Sequence, residues 1–204
     1  MSDKISDRIP SGERREQILA AASLVFGERG YFGATTDQIA KAAGISQPYV
    51  VRMFGSKENL FVEVLARALG KLLITFEETI ERWKADGAPD DQITRLLGTA
   101  YVNLIEDRGI LLSLMQAFSM GHDPVIGEKA RDGFITIYRL LRDEAGFEPE
   151  QVRSFLAEGM LLNTLLGLRL PEKYGLDEAA TELLECSFQT KLQMVLDLVG
   201  EKSA

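Results

Sequence analysis

The chain has 204 residues, of which 46% are apolar and 26% are charged, a composition typical of a globular protein with a substantial core. One cysteine excludes an internal disulfide, and one cysteine with one histidine leaves too few ligands for a structural zinc site, so we expect no metal and no cofactor. No stretch approaches the roughly twenty apolar residues of a membrane span, and the polar start lacks a signal-peptide core. We therefore expect a cytoplasmic protein that does not enter a membrane.

The net charge of -8 is distributed unevenly along the chain. Residues 1–58 hold eight basic and seven acidic side chains, whereas the remaining residues hold fifteen basic and twenty-four acidic ones. The acidity therefore belongs to the C-terminal part of the chain. The overall charge does not exclude a polyanionic partner for the nearly neutral first part.

The first predicted helix covers residues 12–29. Its apolar residues recur on one face: Ile18, Ala21, Ala22, Val25 and Phe26. The helix is predicted to end at Gly30, because glycine adopts the left-handed conformation that terminates helices. Tyr31 and Phe32 follow in the connecting loop and are interpreted as residues that close the core.

The next stretch, residues 36–57, predicts two short helices joined by a tight turn. Thr36 can cap the first of these helices through its hydroxyl. The buried face of this helix is predicted to contain Ile39, Ala40 and Ala43. Gly44 ends it, since a left-handed glycine permits a sharp turn. Together with the preceding helix, this gives a small three-helix domain.

The second short helix is predicted to begin at Ser46, whose side chain can cap the free amides. Pro48 suits the first turn, where its missing N–H costs nothing, and Val50 and Phe54 lie four residues apart on the buried face. The remaining side chains face outward, and several of them are apolar or aromatic: Gln47, Pro48, Tyr49, Val51, Arg52 and Met53. This arrangement is that of a helix-turn-helix that reads DNA.

Several motifs in this region together resemble the DNA-binding domain of TetR-family transcriptional repressors. They are Gly30-Tyr31, Thr35-Thr36, Ile39-Ala40, Ala43-Gly44-Ile45-Ser46 and Phe54-Gly55-Ser56-Lys57. The resemblance covers residues 14–65 without a gap. It implies an all-α fold, with an N-terminal three-helix helix-turn-helix domain over residues 1–56 and a C-terminal effector-binding and dimerisation domain over residues 57–204.

The outward face and the resemblance together give seven candidate DNA-binding residues: Thr36, Ser46, Gln47, Pro48, Tyr49, Arg52 and Lys57. By the resemblance, Thr36 and Lys57 hold the DNA backbone, since each is expected at a helix N-terminus that attracts phosphate. Gln47 can pair with an adenine edge, whereas Arg52 can either read a guanine edge or hold a phosphate.

The chain departs from the usual family pattern at Val51, where the family commonly carries tyrosine. Valine cannot donate a hydrogen bond to phosphate, so Tyr49 is the better candidate for a phosphate or thymine-methyl contact. Basic residues also precede the first helix: Lys4, Arg8, Arg14 and Arg15. They form either an arm that contacts DNA or a solvated tail, because acidic residues dilute the run.

The C-terminal part begins with one long predicted helix over residues 57–84, which contain no proline and keep helical spacing of apolar residues. Further helices are predicted over residues 90–107, 110–120, 125–145, 150–170 and 177–199. No segment alternates convincingly as a strand. The chain is therefore predicted to be all-α with about nine helices, the number that the TetR resemblance also implies.

The last two predicted helices are apolar over more than one face. The family packs the equivalent helices against those of a second subunit, so the resemblance implies a homodimer through residues 150–170 and 177–199. The alternative is a monomer in which both helices are fully buried.

By the same resemblance, the middle helices line an effector pocket. The candidate lining residues are Trp83, Tyr101, Asn103, Met115, Phe118, Phe134, Tyr138 and Asn163. The aromatic and methionine side chains among them also suit an ordinary core. The two asparagines are more informative, because a polar side chain in an apolar helix needs a partner, either within the protein or on a ligand.

Two functions follow from these features. The first is a repressor that an apolar small molecule releases from a palindromic DNA operator. The second is an all-helical carrier or enzyme in which the N-terminal domain has a structural role. The sequence contains no Gly-x-Ser-x-Gly, phosphate-loop or His-Glu-x-x-His motif. It has one histidine, so only one side chain is suited to acid–base catalysis at neutral pH. We therefore expect no enzymatic activity.

Overall fold

The computed structural model describes residues 10–107 and 109–200, over which the chain forms ten α-helices and no β-strand. The helices are α1 (Ser11–Gly33), α2 (Thr36–Ala42), α3 (Gln47–Phe54), α4 (Lys57–Asp86), α5 (Ile93–Asn103), α6 (Ile110–Ser119), α7 (Ile126–Arg139), α8 (Pro149–Gly167), α9 (Glu178–Phe188) and α10 (Leu192–Gly200). A π-helical segment, Leu140–Glu144, continues α7, and short 3-10 turns lie between several of the others. The predicted all-α class is confirmed.

The end of α1 contains the break that the sequence predicts. Gly30 has φ 68° and ψ 167°, after which one more helical turn continues to Gly33. The Phe26 ring of α1 meets the Phe61 ring of α4 edge to face, with 4.8 Å between the ring centroids. The Tyr31 ring also lies against Phe61, at 5.1 Å, so Phe26 and Tyr31 help to hold α1 against the long helix α4. Phe32 is 78% exposed, so the expectation that it closes the core is wrong.

The helix α4 spans the two parts of the molecule. Ser56 caps it by accepting a hydrogen bond from the Asn59 backbone N–H at 3.0 Å. Phe61 in its first half packs into the core of the N-terminal helices, whereas Phe76 in its second half lies 5.8 Å from the Phe155 ring of α8. A movement of α4 would therefore reach both ends of the protein.

The start of α6 packs unusually closely against α1. Gly109 has φ 92°, and a Cβ atom at this position would clash with the backbone carbonyl of Ser23. On the facing side, a Cβ atom at Gly27 would lie 3.3 Å from the Cα atom of Gly109. Only glycine lets the two backbones approach so closely. This contact joins the N-terminal helices to the C-terminal part.

The span 177–199, which the sequence predicts as one helix, is two helices. The chain breaks at Gln189, which has φ 48° and ψ −123°, before α10 begins at Leu192. Similarly, α8 ends at Gly167, earlier than predicted, and Arg169 follows with φ 56°. Neither break was predicted at its position, because non-glycine residues adopt a positive φ only where tertiary packing outweighs the strain.

Most buried side chains form one core that runs from α1 through α8. A second, smaller cluster holds the C-terminal helices together and contains Val102, Leu165, Leu184, Phe188, Leu192 and Val195. Among the described residues, no helix combines the length and the apolar character needed to cross a membrane.

Candidate functional site

The N-terminus of α2 is capped by Thr35 and not, as predicted, by Thr36. The Thr35 hydroxyl accepts a hydrogen bond from the Gln38 backbone N–H at 3.2 Å, and the Gln38 side chain accepts one from the Thr35 N–H at 3.1 Å. Thr35 takes this role because its backbone is extended (φ −125°, ψ 153°), as a cap requires. Thr36 is thus the first residue of the helix, and its hydroxyl serves another purpose.

The turn between α2 and α3 follows the prediction at Gly44, which has φ 65°. The Ile45 N–H donates to the Ala40 carbonyl at 3.0 Å and closes the turn. Ser46 precedes α3, but its side chain makes no capping hydrogen bond, so the predicted cap is wrong. Ser46 and Pro48 are both exposed at the start of α3.

The helix α3 turns Val50 and Phe54 into the core, as its spacing predicts. On its outward face, two side chains are held in place by contacts with neighbouring residues. The guanidinium carbon of Arg52 lies 4.9 Å from the centroid of the half-buried Tyr49 ring, a cation–π contact that limits the positions of the guanidinium. Arg52 itself stays exposed.

The second supported side chain is Gln47, which is linked to α2. Its Nε2 donates a hydrogen bond to Thr36 Oγ1 at 3.2 Å. One amide N–H is used in this way, which leaves the other N–H and the Oε1 acceptor of Gln47 available. Because Thr36 Oγ1 accepts from Gln47, its own O–H remains a donor. The two helices of the helix-turn-helix thereby fix the amide orientation of an outward residue.

Lys57 lies at the start of α4, as expected, but its ammonium group has partners within the protein. Nζ donates to the Tyr31 carbonyl at 3.0 Å and to the Ala34 carbonyl at 3.2 Å, and it lies 4.5 Å from the Tyr31 ring centroid. Lys57 thus ties the end of α1 to α4. Burial raises the pKa of the Tyr31 hydroxyl, with further contributions from the negative charges of Glu58 and Asp123.

The basic residues before the first predicted helix do not form one arm. Arg14 and Arg15 belong to α1, where Arg15 pairs with Glu63 of α4 and lies 5.1 Å from the Phe54 ring centroid. Arg14 donates to the Gln17 side chain at 3.0 Å. The predicted contacts of Lys4 and Arg8 lie outside the described residues.

An ionic cluster joins α1, α4 and the loop before α6. Arg67 of α4 is 90% buried and bonds to Glu16 of α1 and, at 3.1 Å, to Asp107, which also pairs with Lys71. Burial acts to lower the pKa of the Arg67 guanidinium, but Glu16 and Asp107 outweigh it and raise this pKa overall. The Nη1 atom of Arg67 is buried without a hydrogen-bond partner. The cluster lies beside the Gly109 contact between α1 and α6.

A cavity of about 40 Å³ lies among the helices α4 to α8, with room for roughly three water molecules at about 10–15 Å³ each. Its lining residues are Leu72, Phe76, Tyr101, Leu114, Phe118, Phe134, Ile137, Phe155, Leu156, Gly159, Met160 and Asn163. None of these lining side chains is charged. The Tyr101 hydroxyl donates to Asn163 Oδ1 at 2.9 Å, and burial raises the pKa of Tyr101 to about 12 although this hydrogen bond acts to lower it.

Four of the eight predicted lining residues border this cavity: Tyr101, Phe118, Phe134 and Asn163. The other four do not border it. The Trp83 indole N–H donates to the Pro89 carbonyl at 3.2 Å beyond the end of α4, and Asn103 is exposed at the end of α5. Met115 and Tyr138 are half-buried elsewhere. A helical repeat identifies apolar positions but not which of them leaves space unfilled.

Several lining residues were not predicted, and Gly159 is the most informative. A Cβ atom at Gly159 would lie 3.5 Å from the Tyr101 ring, an ordinary contact distance, so Gly159 places α8 directly beside this ring. The buried Leu72, Phe76 and Phe155 have no sequence signal that separates them from other core residues. Among the described residues, no group of three histidine, cysteine, aspartate or glutamate side chains is arranged to hold a metal ion.

Residues 18–64 match the sequence model of bacterial regulatory proteins of the TetR family. The transcriptional dual regulator CecR of Shigella flexneri is 27% identical over 220 aligned positions that cover 96% of each chain. The chain is thus similar to TetR-family regulators, and the family model matches it over residues 18–64. The chain is also 46% identical over 67 residues to the transcriptional activator FasR of Mycolicibacterium smegmatis, a match that spans about a third of each protein.

Further similarities extend beyond the residues that the family model matches. The transcriptional repressor BdcR of Escherichia coli is 26% identical over 141 residues, which cover 68% of each protein. The fatty acid degradation regulator FadR of Bacillus halodurans has a similar fold, with a TM-score of 0.59 and 15% identity over 90% of this chain and 96% of that one. At this identity, the structural similarity establishes the fold alone.

Proposed function

We propose that this TetR-family protein is a DNA-binding transcriptional repressor, acting in the cytoplasm and without enzymatic activity, which a small apolar molecule releases from a palindromic operator. One observation carries the proposal. The outward face of α3 holds hydrogen-bonding side chains in fixed orientations, Gln47 through Thr36 and Arg52 through Tyr49. A recognition helix needs this property, because base edges discriminate only between donors and acceptors that are held in register.

Base reading is assigned to Gln47 and Arg52. Gln47 keeps one N–H and its Oε1 atom free, the donor and acceptor that a bidentate contact with adenine requires. Arg52 carries donors that suit a guanine edge or a phosphate. Each good bidentate contact contributes about 1–3 kcal/mol of discrimination between bases.

Phosphate contacts are assigned to the flanks of α3. The Thr36 hydroxyl retains its proton as a donor, and the exposed Ser46 hydroxyl is not used for capping. Lys57 has one N–H beyond the two that bind α1, so it can reach a phosphate and still hold α1. Pro48 and Tyr49 offer apolar surface to a thymine methyl group.

A homodimer is proposed through residues 150–170 and 177–199, now resolved into α8, α9 and α10. Large apolar side chains are exposed on this part of the chain: Leu161 at 42%, Leu168 at 69%, Leu176 at 80% and Leu183 at 40%. A second copy of the chain would cover them, and a two-fold axis would present two α3 helices to a palindrome.

The cavity is proposed as the effector site. Leu72 and Phe76 border it from α4, so a ligand that enlarges the cavity moves the helix that also holds α1 and α3. Only a ligand that binds better to the DNA-incompetent arrangement shifts the balance away from the operator. The Arg67 cluster lies between the two sites and would carry part of that shift.

Fluorescence anisotropy with genomic fragments upstream of the gene and of its neighbours tests the DNA-binding proposal. We expect a preferred palindromic site and a steep loss of affinity with added salt. Gln47→Ala and Arg52→Ala should weaken specific binding by roughly ten- to a hundredfold and non-specific binding less. Arg95→Ala on α5 removes the same charge from an exposed position away from α3 and should change neither. Equal affinity for every sequence would exclude an operator-specific function.

A further inference from the structure

The cavity among α4 to α8 discriminates between ligands by charge. Apart from Tyr101 and Asn163, its lining consists of hydrocarbon, aromatic and thioether groups. An ionised carboxylate placed there would lose its hydration without meeting a cation, a strongly unfavourable transfer. A neutral apolar molecule loses little on entering and gains contact with the rings of Phe118 and Phe134, which meet edge to face at 5.5 Å.

The same cavity contains one polar group whose hydrogen bonds are incomplete. Asn163 is 2% exposed and accepts the Tyr101 O–H through Oδ1, but its amide nitrogen donates to no atom of the described residues. If the amide were turned the other way, its nitrogen would donate to the Tyr101 oxygen and the Tyr101 O–H would be left free. In either orientation the pair keeps one donor at the cavity that no protein atom uses, and a ligand that supplies an acceptor there gains a hydrogen bond in surroundings of low polarity.

We propose that the effector is an uncharged, mainly apolar molecule with a hydrogen-bond acceptor such as a ketone, ester or amide carbonyl, and that Asn163 of α8 donates to this oxygen. Tyr101 acts as a positioning residue that fixes the amide. Its raised pKa keeps the hydroxyl protonated throughout the physiological range. This inference rests on the proposed function, since it specifies the ligand of the effector site.

Three probes of similar size separate the possibilities: acetophenone, which has a neutral carbonyl, cumene, in which a methyl group replaces the oxygen, and benzoate, which is an anion. Each is larger than the cavity of the ligand-free protein and enters by enlarging it, as the proposed release from DNA requires. Isothermal titration of the full-length protein should show that acetophenone binds about three- to tenfold more tightly than cumene, the worth of one net hydrogen bond. Benzoate should bind at least about tenfold more weakly than acetophenone.

Asn163→Leu keeps the size of the side chain but removes the donor, and it should reduce the preference for acetophenone over cumene to nearly none. Asn103→Leu is the matched control, because Asn103 is exposed and does not border the cavity. Tyr101→Phe is a second variant that preserves the ring and should weaken the preference in part. Circular dichroism verifies that each variant folds before binding is measured.

Several results would overturn the inference. They are a preference for benzoate, equal binding of acetophenone and cumene to the unaltered protein, an unchanged preference in Asn163→Leu, or no binding of any probe. The DNA-binding part of the proposed function is judged separately, by anisotropy of the ligand-free protein on its operator. A chain that binds the operator but prefers benzoate would retain its regulatory function and lose only the assigned ligand chemistry.

Discussion

The α3 face and the cavity use the same chemical device in opposite surroundings. In each, a side-chain amide is oriented by a neighbouring hydroxyl: Gln47 by Thr36 at 3.2 Å, and Asn163 by Tyr101 at 2.9 Å. On the surface, water competes for every donor, so the device gains little energy and acts by fixing orientation. In the cavity, apolar side chains surround the pair and only a few water molecules can compete, so the unused donor favours a ligand that brings an acceptor.

The α3 face and the cavity are connected by packing contacts in which neither amide pair takes part. The helix α4 borders both, and the Gly109 contact and the Arg67 cluster connect α1 with the loop that precedes α6. Changes at this junction should affect the whole molecule, whereas changes at either amide pair should stay local. The predictions below test that division.

The largest effect is expected at the junction. Gly109→Ala places a methyl group against the Ser23 carbonyl at a backbone φ of 92°, so both the clash and the strain oppose folding. We expect a loss of about 3 kcal/mol or more in the free energy of unfolding, measured by urea denaturation. Gly175→Ala is the control, since Gly175 has φ 72° but no atom within 4 Å of the added Cβ, and it should cost about 1–2 kcal/mol. Equal losses of unfolding free energy in the two variants would contradict tight packing at Gly109.

The buried hydroxyl of the cavity predicts a stability change at high pH. The unfolded chain releases the Tyr101 proton near pH 10, whereas the folded chain keeps it to about pH 12, so the free energy of unfolding falls as the pH rises between these values. The loss approaches about 3 kcal/mol, at roughly 1.4 kcal/mol per pH unit. Tyr101→Phe should lack this part of the decline in urea denaturation over the same range. Parallel curves for the two proteins would contradict the burial of the Tyr101 hydroxyl.

At the α3 face, Thr36→Val removes the hydroxyl that orients Gln47 without changing the size of the side chain. We expect operator binding to weaken by roughly three- to tenfold, because one net hydrogen bond and a fixed orientation are lost, with little change in the free energy of unfolding. Thr36→Ser keeps the hydroxyl and should restore binding. Anisotropy on the operator measures the first effect and urea denaturation the second. A large loss of stability would mean that this pair is structural.

The smallest effects separate two hydroxyls of the same motif. Thr35→Ala removes a capping hydrogen bond and should cost about 1 kcal/mol of unfolding free energy. Ser46→Ala removes no capping hydrogen bond and should change stability by less than about 0.5 kcal/mol. Thermal unfolding of the two variants measures the difference. The reverse order would restore Ser46 as the cap of α3.

Sequence patterns predicted much of the fold because they reflect local structure. The apolar repeat of α4, the left-handed Gly44 and the paired Val50 and Phe54 depend on neighbours within a few residues, and each was predicted. The break at Gln189 was missed, since glutamine has no intrinsic preference for a positive φ and its conformation depends on packing around it. Local rules also chose Thr36 as the cap over its neighbour Thr35.

The candidate sites were predicted less evenly. Tyr101 and Asn163 were both proposed for the pocket, but their mutual hydrogen bond joins residues far apart in the chain and has no local signature. Trp83 and Met115 were proposed on the same grounds and lie elsewhere. Likewise, the resemblance implied that Lys57 contacts DNA. Its hydrogen bonds to two carbonyls at the end of α1 are seen only in the folded structure.

The sequence by itself determined the helical class, the helix-turn-helix and the resemblance to the TetR family, because periodicity, caps and turns depend on residues close together in the chain. The tertiary structure decided which hydroxyl orients Gln47, where the core leaves a cavity, and which donor inside that cavity remains unused. These outcomes depend on how side chains from distant segments fill a shared volume. Because protein interiors are closely packed, a single methylene group can change how these side chains fit together. No local sequence pattern indicates this fit.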